Sequence, residues 1–208
     1  MTSIQRSRRQ VRLSRALGIA LTPKAQKYFE KRPYVPGEHG RGKKRAESDY
    51  AVRLKEKQRL RAQYDLSEKQ LSDTYKKATR TKGQTGEAMI ASLESRLDSL
   101  VLRATFARTM AQARQFVDHR HILVDGSIVD RPSYKVKPGQ VIQVKPKSQL
   151  ISPFRAAAEG VNQEVLPKVP GYMDVDLAQL KATLVSVPDA ASVPIQVNIQ
   201  YVVEYYAR

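Results

Sequence analysis

Apolar positions recur with a helical period through the middle of the chain and with a period of two in short stretches on either side of residue 125 and near residue 200. Ser48 or Asp49 opens a helix, SDYAVRLKEKQRLRAQY, that runs to about Tyr64. Ser67 and Gln70 then form a capping box, and Leu66 with Leu71 can make the hydrophobic staple. The short helix so started buries Leu71, Tyr75 and Ala78, and the turn Lys82-Gly83-Gln84-Thr85-Gly86 ends it. From near Thr85 a further helix places Ile90, Leu93, Leu97, Leu100 and Val101 on one side as core. Thr109 and Gln112 make a second capping box, and the helix after them carries Ala113, Phe116 and Val117 on one face and Arg114 on another.

The period then changes. Ile122 and Val124 alternate with Leu123, and Asp125-Gly126 is a two-residue hairpin signal. Ser127 to Asp130 reads as the return strand, and Val141 to Val144, after the Pro138-Gly139 turn, as a third. In the last quarter, Leu177 to about Leu184 reads as a short helix capped by Asp174 or Asp176, and Ile195 to Val203 as a strand. Residues 1–45, with RSRR, three prolines and PYVPGEHGRGKKR, look irregular, an arm that folds on meeting a polyanion. The expected fold is α+β: a mostly helical domain with a basic N-terminal arm, plus a small helix–helix–antiparallel-sheet module. The expected division is an extended arm over 1–47, a helical domain over 48–92, the compact module over 93–147, and a segment over 148–208 that packs back on the helices.

Charge sharpens this picture. The net charge is +17, but it is graded. Residues 1–70 hold 19 Lys/Arg against 7 Asp/Glu, residues 71–150 hold 14 against 7, and residues 151–208 hold 4 against 6. The first two thirds therefore face a polyanion, nucleic acid before an anionic membrane, and the last quarter packs or meets protein. On the helix from Ser48, Arg53, Lys57 and Arg61 share one narrow sector while Lys55 and Arg59 lie on the far side. Such a helix suits a place between RNA segments; the alternative is a solvated helix with Glu56 as its one acidic partner. No stretch approaches the roughly 20 apolar residues of a membrane span. The N-terminus lacks the apolar core and cleavage site of a signal peptide, although its Arg-rich, acid-poor composition also fits a mitochondrial-type presequence. A cytoplasmic protein is expected.

Catalytic and metal chemistry find little support. With no cysteine, disulfides, thiolate zinc sites and thiol catalysis fall together. Gly37-Glu38-His39-Gly40-Arg41-Gly42-Lys43-Lys44 approaches a phosphate-binding loop, but Lys44 stands where Ser or Thr must hold magnesium. Pro33-Tyr34-Val35-Pro36 also cannot be the strand that should precede such a loop. The physics survives without the enzyme: glycines let the backbone approach phosphates, and Arg41, Lys43, Lys44 and Arg45 neutralise them. His119 and His121 flank Arg120 at a turn-to-strand junction, either contacting base or phosphate or standing idle. Tyr28, Tyr34, Tyr50 and Tyr64 are interleaved with cations, as suits stacking on unpaired bases; for Tyr50 and Tyr64 the alternative is helix packing.

The run from Leu93 to Val144 has an RLD helix, an Ala113-Arg114 helix, a V-D-G hairpin and a PS-x-x-V-x-x-G-x-x-I-x-V finish. It resembles the RNA-binding module first described in ribosomal protein four of the small subunit, which also occurs in pseudouridine synthases and tyrosyl-tRNA synthetases. RPYVPGEHGR, SDYAVRLKEKQRLRAQY, KGQTGEAM and the closing VVEYYAR extend the resemblance to the bacterial form of that protein family over nearly the whole chain. The resemblance implies a non-enzymatic, cytoplasmic ribosomal protein that binds the five-way junction of the 5′ domain of 16S ribosomal RNA early in small-subunit assembly. It further implies the third and fifth small-subunit proteins as neighbours, nearness to the channel by which messenger RNA enters, and an influence on decoding accuracy. RNA contacts are expected from Arg6, Arg8, Arg9 and Arg12, from Arg41, Lys43, Lys44 and Arg45, and from Tyr50, Arg53, Lys55, Lys57, Arg59 and Arg61. They are also expected from Lys82, Arg108, Arg114, His119, Arg120 and His121. Some members hold zinc with four N-terminal cysteines; here none exist, so no metal or other cofactor is expected and the arm would be ordered by RNA contacts alone. Glu38 replaces the family's common Gln, placing an acid among phosphate-binding residues.

Overall fold

The computed structural model describes residues 3–42 and 46–207, with side chains from residue 9 onward. In chain order the described residues form helices α1 (Ser3–Leu17) and α2 (Pro23–Lys31), a 3-10 turn (Glu38–Arg41), then α3 (Asp49–Gln63), α4 (Glu68–Ala78) and α5 (Thr85–Glu94). Helices α6 (Leu97–Arg103) and α7 (Met110–Asp118) lead into strands β1 (Ile122–Val124), β2 (Ser127–Ile128) and β3 (Val141–Val144). Helices α8 (Pro146–Gln149) and α9 (Ser152–Ala158), strands β4 (Met173–Asp176) and β5 (Lys181–Leu184), and helix α10 (Ile199–Tyr206) complete the chain. This is an α+β fold with one antiparallel sheet in the order β2-β1-β3-β5-β4. No described helix is long and apolar enough to cross a membrane.

Two compact units divide the chain, Met1–Ser72 with Ile195–Arg208, and Asp73–Pro194. This partition differs from the sequence-based one. Only the last stretch returns to the helical unit, where α10 packs on α3; residues 148–194 join the module, because β5 pairs with β3 and extends its sheet.

In the first unit the expected irregular arm contains two helices. Ser14 explains how the chain turns between them: its hydroxyl donates to Gln10 O and accepts from Leu21 N–H. Leu17, Ile19 and Ala25 are buried behind that turn, and Thr22 caps α2 by accepting from Ala25 N–H at 3.1 Å, with Pro23 in the first turn. The described part of the arm is thus helical and held by the chain's own contacts, where the sequence reading expected an irregular segment. Ser48 caps α3. The Ser67/Gln70 capping box is present in both directions, at 3.0 and 3.2 Å, with Leu66 and Leu71 buried beside it.

In the second unit the apolar stripe Ile90, Leu93, Leu97, Leu100 and Val101 is core, each residue at most 1% exposed. Burial of that kind contributes about 1.5–3 kcal/mol per side chain. It does not lie on one helix, however. The loop after β2 breaks it: Leu97 N–H donates to Tyr134 O and Asp98 N–H to Pro132 O, while Val136 N–H takes Ser95 O. The broken ladder is closed by Ser99 Oγ, which donates to Leu93 O. Thr109 caps α7, but the reciprocal arm of that box goes to Arg108, whose N–H donates to Gln112 Oε1 at 2.8 Å. Asp125 and Gly126 both adopt positive φ, 49° and 79°, as the two-residue hairpin turn requires. The return strand ends at Ile128 rather than Asp130.

The last quarter departs most from the sequence reading. Residues 177–184 are not a helix. Asp176 does accept from Gln179 N–H, as a cap would, but the chain then turns back through Leu180 at φ 48° into β5. Burial of Leu180 to 2% exposure and the bond from Val144 N–H to its carbonyl hold that left-handed residue in place. Residues 195–203 are not a strand either: Asn198 accepts from the N–H groups of Gln200 and Tyr201 and starts α10.

Candidate nucleic-acid interface

Within the first unit, α3 shows where a cation-rich helix directs its charge. Arg53 Nε meets Glu204 at 2.7 Å. Lys57 meets Glu68 at 2.9 Å and stands 4.5 Å over the Tyr205 ring. Arg59 pairs with Glu56 and donates to Leu17 O at 2.8 Å, at the end of α1. Glu56 also accepts from Asn198 N–H. Burial alone would raise the pKa of Glu68, but hydrogen bonds from Lys57 and Tyr206 outweigh it and hold the carboxyl below its ordinary 4.5. The two charged sectors of α3 therefore attach it to α10 and α1. Lys57 is only 4% exposed and paired with Glu68, so the structure places it in packing and not among the exposed cations. Arg53 and Arg59 are mostly covered, Arg61 lies 3.6 Å from Glu68, and Lys55 pairs with Glu47 at 2.9 Å. The reading of Glu56 as a solvated partner also gives way, since Glu56 is buried.

Tyr50 is 55% exposed with its ring 5.9 Å from that of Tyr205, whereas Tyr64 is 1% exposed and belongs to packing. Tyr50, Arg53, Tyr205 and Tyr206 line a shallow cavity of about 360 Å³. Arg9 and Arg12 are exposed on α1, and Arg41 is exposed at the end of the 3-10 turn. None of these three forms an ion pair with a described carboxylate. Glu38, at the start of that turn, is exposed as well. Arg6 and Arg8 lie on α1 with side chains outside the described ones, and Lys43, Lys44 and Arg45 lie outside the described residues.

Two buried carboxylates organise the arginines of the second unit. Asp98, fully buried, accepts from Arg96 at 2.9 and 2.7 Å, from Arg114 at 3.3 and 3.2 Å and from Ser99 N–H at 3.0 Å. The Arg114 side chain stays 27% exposed. Glu94, also fully buried, holds Arg103 and accepts from the Tyr172 hydroxyl at 2.9 Å. Burial, and next the Glu94 charge, push the Tyr172 phenol up. Lys82 in the turn before α5 and Arg108 before α7 are exposed. At the end of α7, His119 and Arg120 are exposed, Arg120 at φ 61° and 3.1 Å from Asp130 across a surface pair.

His121 behaves differently from its neighbours. It is half-buried, its ring 5.8 Å from Phe154 and 6.2 Å from Phe116, and its Nδ1 lies 2.9 Å from Ser148 Oγ. Burial, then the positive neighbours His119 and Lys145, hold its pKa below the ordinary 6.5. The unfolded chain therefore takes up this proton more readily than the folded one. The stabilising contribution is full above 6.5 and is lost as pH falls below that value. A His121→Gln variant is expected to lose less stability than the parent between about pH 7 and pH 5. Denaturant midpoints across that range check this; parallel curves would rule it out.

Two family descriptions match the sequence in order along the chain: Ribosomal protein S4/S9 N-terminal domain over residues 5–94, and S4 domain over residues 95–142. The chain is 74% identical over 208 residues to Small ribosomal subunit protein uS4 of Bifidobacterium adolescentis, covering 100% of both chains. The chain belongs to the uS4 family of small ribosomal subunit proteins. The uS4 protein of Beutenbergia cavernae is 64% identical over 100% of both chains, and that of Clavibacter michiganensis 59% identical over 100% of this chain and 99% of its own. Membership in uS4 makes the chain a structural ribosomal protein and not an enzyme. The S4 domain match runs from the break before α6 to the start of β3, so β4 and β5 are strands added to the module's sheet from beyond the matched region.

Arg15 escaped notice within a run of arginines, although it is the one whose guanidinium binds the backbone carbonyls of Arg32 and Tyr34. Thr22-Pro23, a cap followed by proline, was a legible start signal for α2.

Proposed function

We propose that this chain is a component of the bacterial small ribosomal subunit that binds 16S ribosomal RNA. Its site is the five-way junction of the 5′ domain, which it occupies early in assembly. Its neighbours are the third and fifth small-subunit proteins and the messenger RNA where it enters, and its interface with the fifth affects decoding accuracy. The observation that supports RNA as the ligand is the separation of two classes of cation. Those of α3 are largely tied to carboxylates and carbonyls of the fold. Arg9, Arg12 and Arg41 in one unit, and Lys82 and Arg108 in the other, are exposed without an ion pair to a described carboxylate. The exposed set, with Arg120 and the sequence-assigned Arg6, Arg8, Lys43, Lys44 and Arg45, contacts phosphates. Lys55, Arg61 and the outer edge of Arg114 stand at its margin, while Arg53 and Arg59 serve chiefly to hold α3. Tyr50 and His119 offer rings to splayed bases, with the His121 ring 6.1 Å from that of His119.

Footprinting on the naked 5′-domain transcript tests this reading, and protection at the junction is expected. No protected nucleotides, or equal affinity for duplex DNA at moderate salt, would sink it.

A further inference from the structure

Between α2 and α3 the phenol ring of Tyr34 has two guanidinium groups over it. Arg41 Nη2 donates to the Tyr34 hydroxyl at 3.1 Å, and its Cζ stands 4.7 Å from the centre of the Tyr34 ring. Arg15, from α1, stands over the same ring at 4.9 Å. The Arg15 Nε also donates to the carbonyls of Arg32 and Tyr34, at 3.1 and 3.0 Å. The cation that stacks on the ring therefore also ties the ring's own backbone to α1. The segment from Tyr34 to Arg41 closes on itself. Gly40 is buried, its N–H donates to Gly37 O, and a Cβ at Gly40 would run into the Val35 carbonyl. Tyr34 and Arg41 thus come from the two ends of one tight turn.

An exposed arginine on an open turn must lose rotamer freedom when it meets a phosphate. Arg41 is exposed, yet its guanidinium is already held by a stacked ring and one hydrogen bond. That hydrogen bond occupies one of five N–H donors. Resting on the reading of Arg41 as a phosphate contact, we propose that Tyr34 is a positioning residue for RNA binding. Its ring and hydroxyl orient the Arg41 guanidinium before RNA arrives. Tyr34 makes no RNA contact of its own in this role. The phenol carries a signature of the arrangement: the hydrogen bond from Arg41, and then the charges of Arg41, Arg32 and Arg15, lower its pKa from the ordinary 10.0.

The experiment measures affinity of the full chain for the 5′-domain transcript in Tyr34→Phe, Tyr34→Leu, Arg41→Gln and the two double variants. Tyr34→Phe is expected to weaken binding about twofold and Tyr34→Leu about fivefold. In the Arg41→Gln background both changes are expected to have no further effect, because nothing remains to be positioned. Ultraviolet difference titration, parent minus Tyr34→Phe, is expected to show the phenol ionising below its ordinary range and returning toward it in Arg41→Gln. Equal losses in both backgrounds would assign Tyr34 a structural or direct role and overturn the proposal. Unchanged binding in both Tyr34 variants while Arg41→Gln weakens it would do the same. If Arg41→Gln itself leaves affinity unchanged, the phosphate reading of Arg41 fails first and the positioning role with it. Tyr34→Phe, which keeps the ring, preserves the test should Tyr34→Leu fail to fold.

Discussion

Raising salt from about 50 to about 200 mM is expected to weaken binding to the 5′-domain transcript roughly a hundred-thousandfold, the loss that follows from about ten phosphate contacts and their counterions. The structure makes this more specific than a statement about net charge. A +17 chain in which every cation met RNA would show a far steeper dependence. Here α3 commits Arg53, Lys57 and Arg59 to Glu204, Glu68, Glu56 and the Leu17 carbonyl, so these three are expected to release no counterions on binding. Arg41→Gln is accordingly expected to reduce the slope of log affinity against log salt by about one. Lys57→Met is expected to leave the slope unchanged while lowering stability, since it strips Glu68 of a partner at 2.9 Å. Affinity measured at four or five salt concentrations for the three proteins decides the matter. A reduced slope in Lys57→Met would show that the buried lysine reaches RNA after all.

Asp98→Ala is expected to destabilise the protein by about 3–5 kcal/mol, the range for breaking a buried ion pair from one side. The reason is arithmetic of charge. Asp98 is 0% exposed and is the shared carboxylate of Arg96, whose side chain is 10% exposed, and Arg114. Its removal leaves two guanidinium groups facing one another and takes the acceptor from Ser99 N–H at the start of α6. Urea unfolding of parent and variant measures the effect. A loss below about 1 kcal/mol would mean that both arginines relax into water and that the pair is not a structural element. RNA affinity per folded molecule is expected to fall as well, because Arg114 reaches the surface from that carboxylate.

Both results depend on features of unequal legibility in the sequence. Capping boxes are local, and Ser67 with Gln70 makes the bonds expected of it. The stripe from Ile90 to Val101 was recognisable as core, yet its helix break was not, since the break is made by carbonyls of Pro132 and Tyr134 more than thirty residues away. Local signals also misled. Asp176 offers a helix cap and does bond Gln179, but pairing of Thr183 and Ala182 with β3 is the stronger demand on the chain. Residues 195–203 alternate as a strand should, but no strand among the described residues pairs with them; capped by Asn198 and packed on α3, the segment closes its own hydrogen bonds as a helix.

For the candidate site, the residue types and the gradient of charge were open to reading from the chain alone, as was the family resemblance that the relatives established. Exposure was not. Whether a lysine or arginine faces solvent depends on which carboxylate arrives beside it, and Glu204 approaches Arg53 from 151 positions along the chain. Sequence by itself determined the local caps, the hairpin at Asp125-Gly126, the core stripe and the polyanion-seeking front of the molecule, because each is set by residues within a few positions or by composition. Tertiary structure alone decided which cations pair within the fold and which stay exposed. The same holds for the break before α6 and for the final strands and helix, because in each case the partner comes from far along the chain.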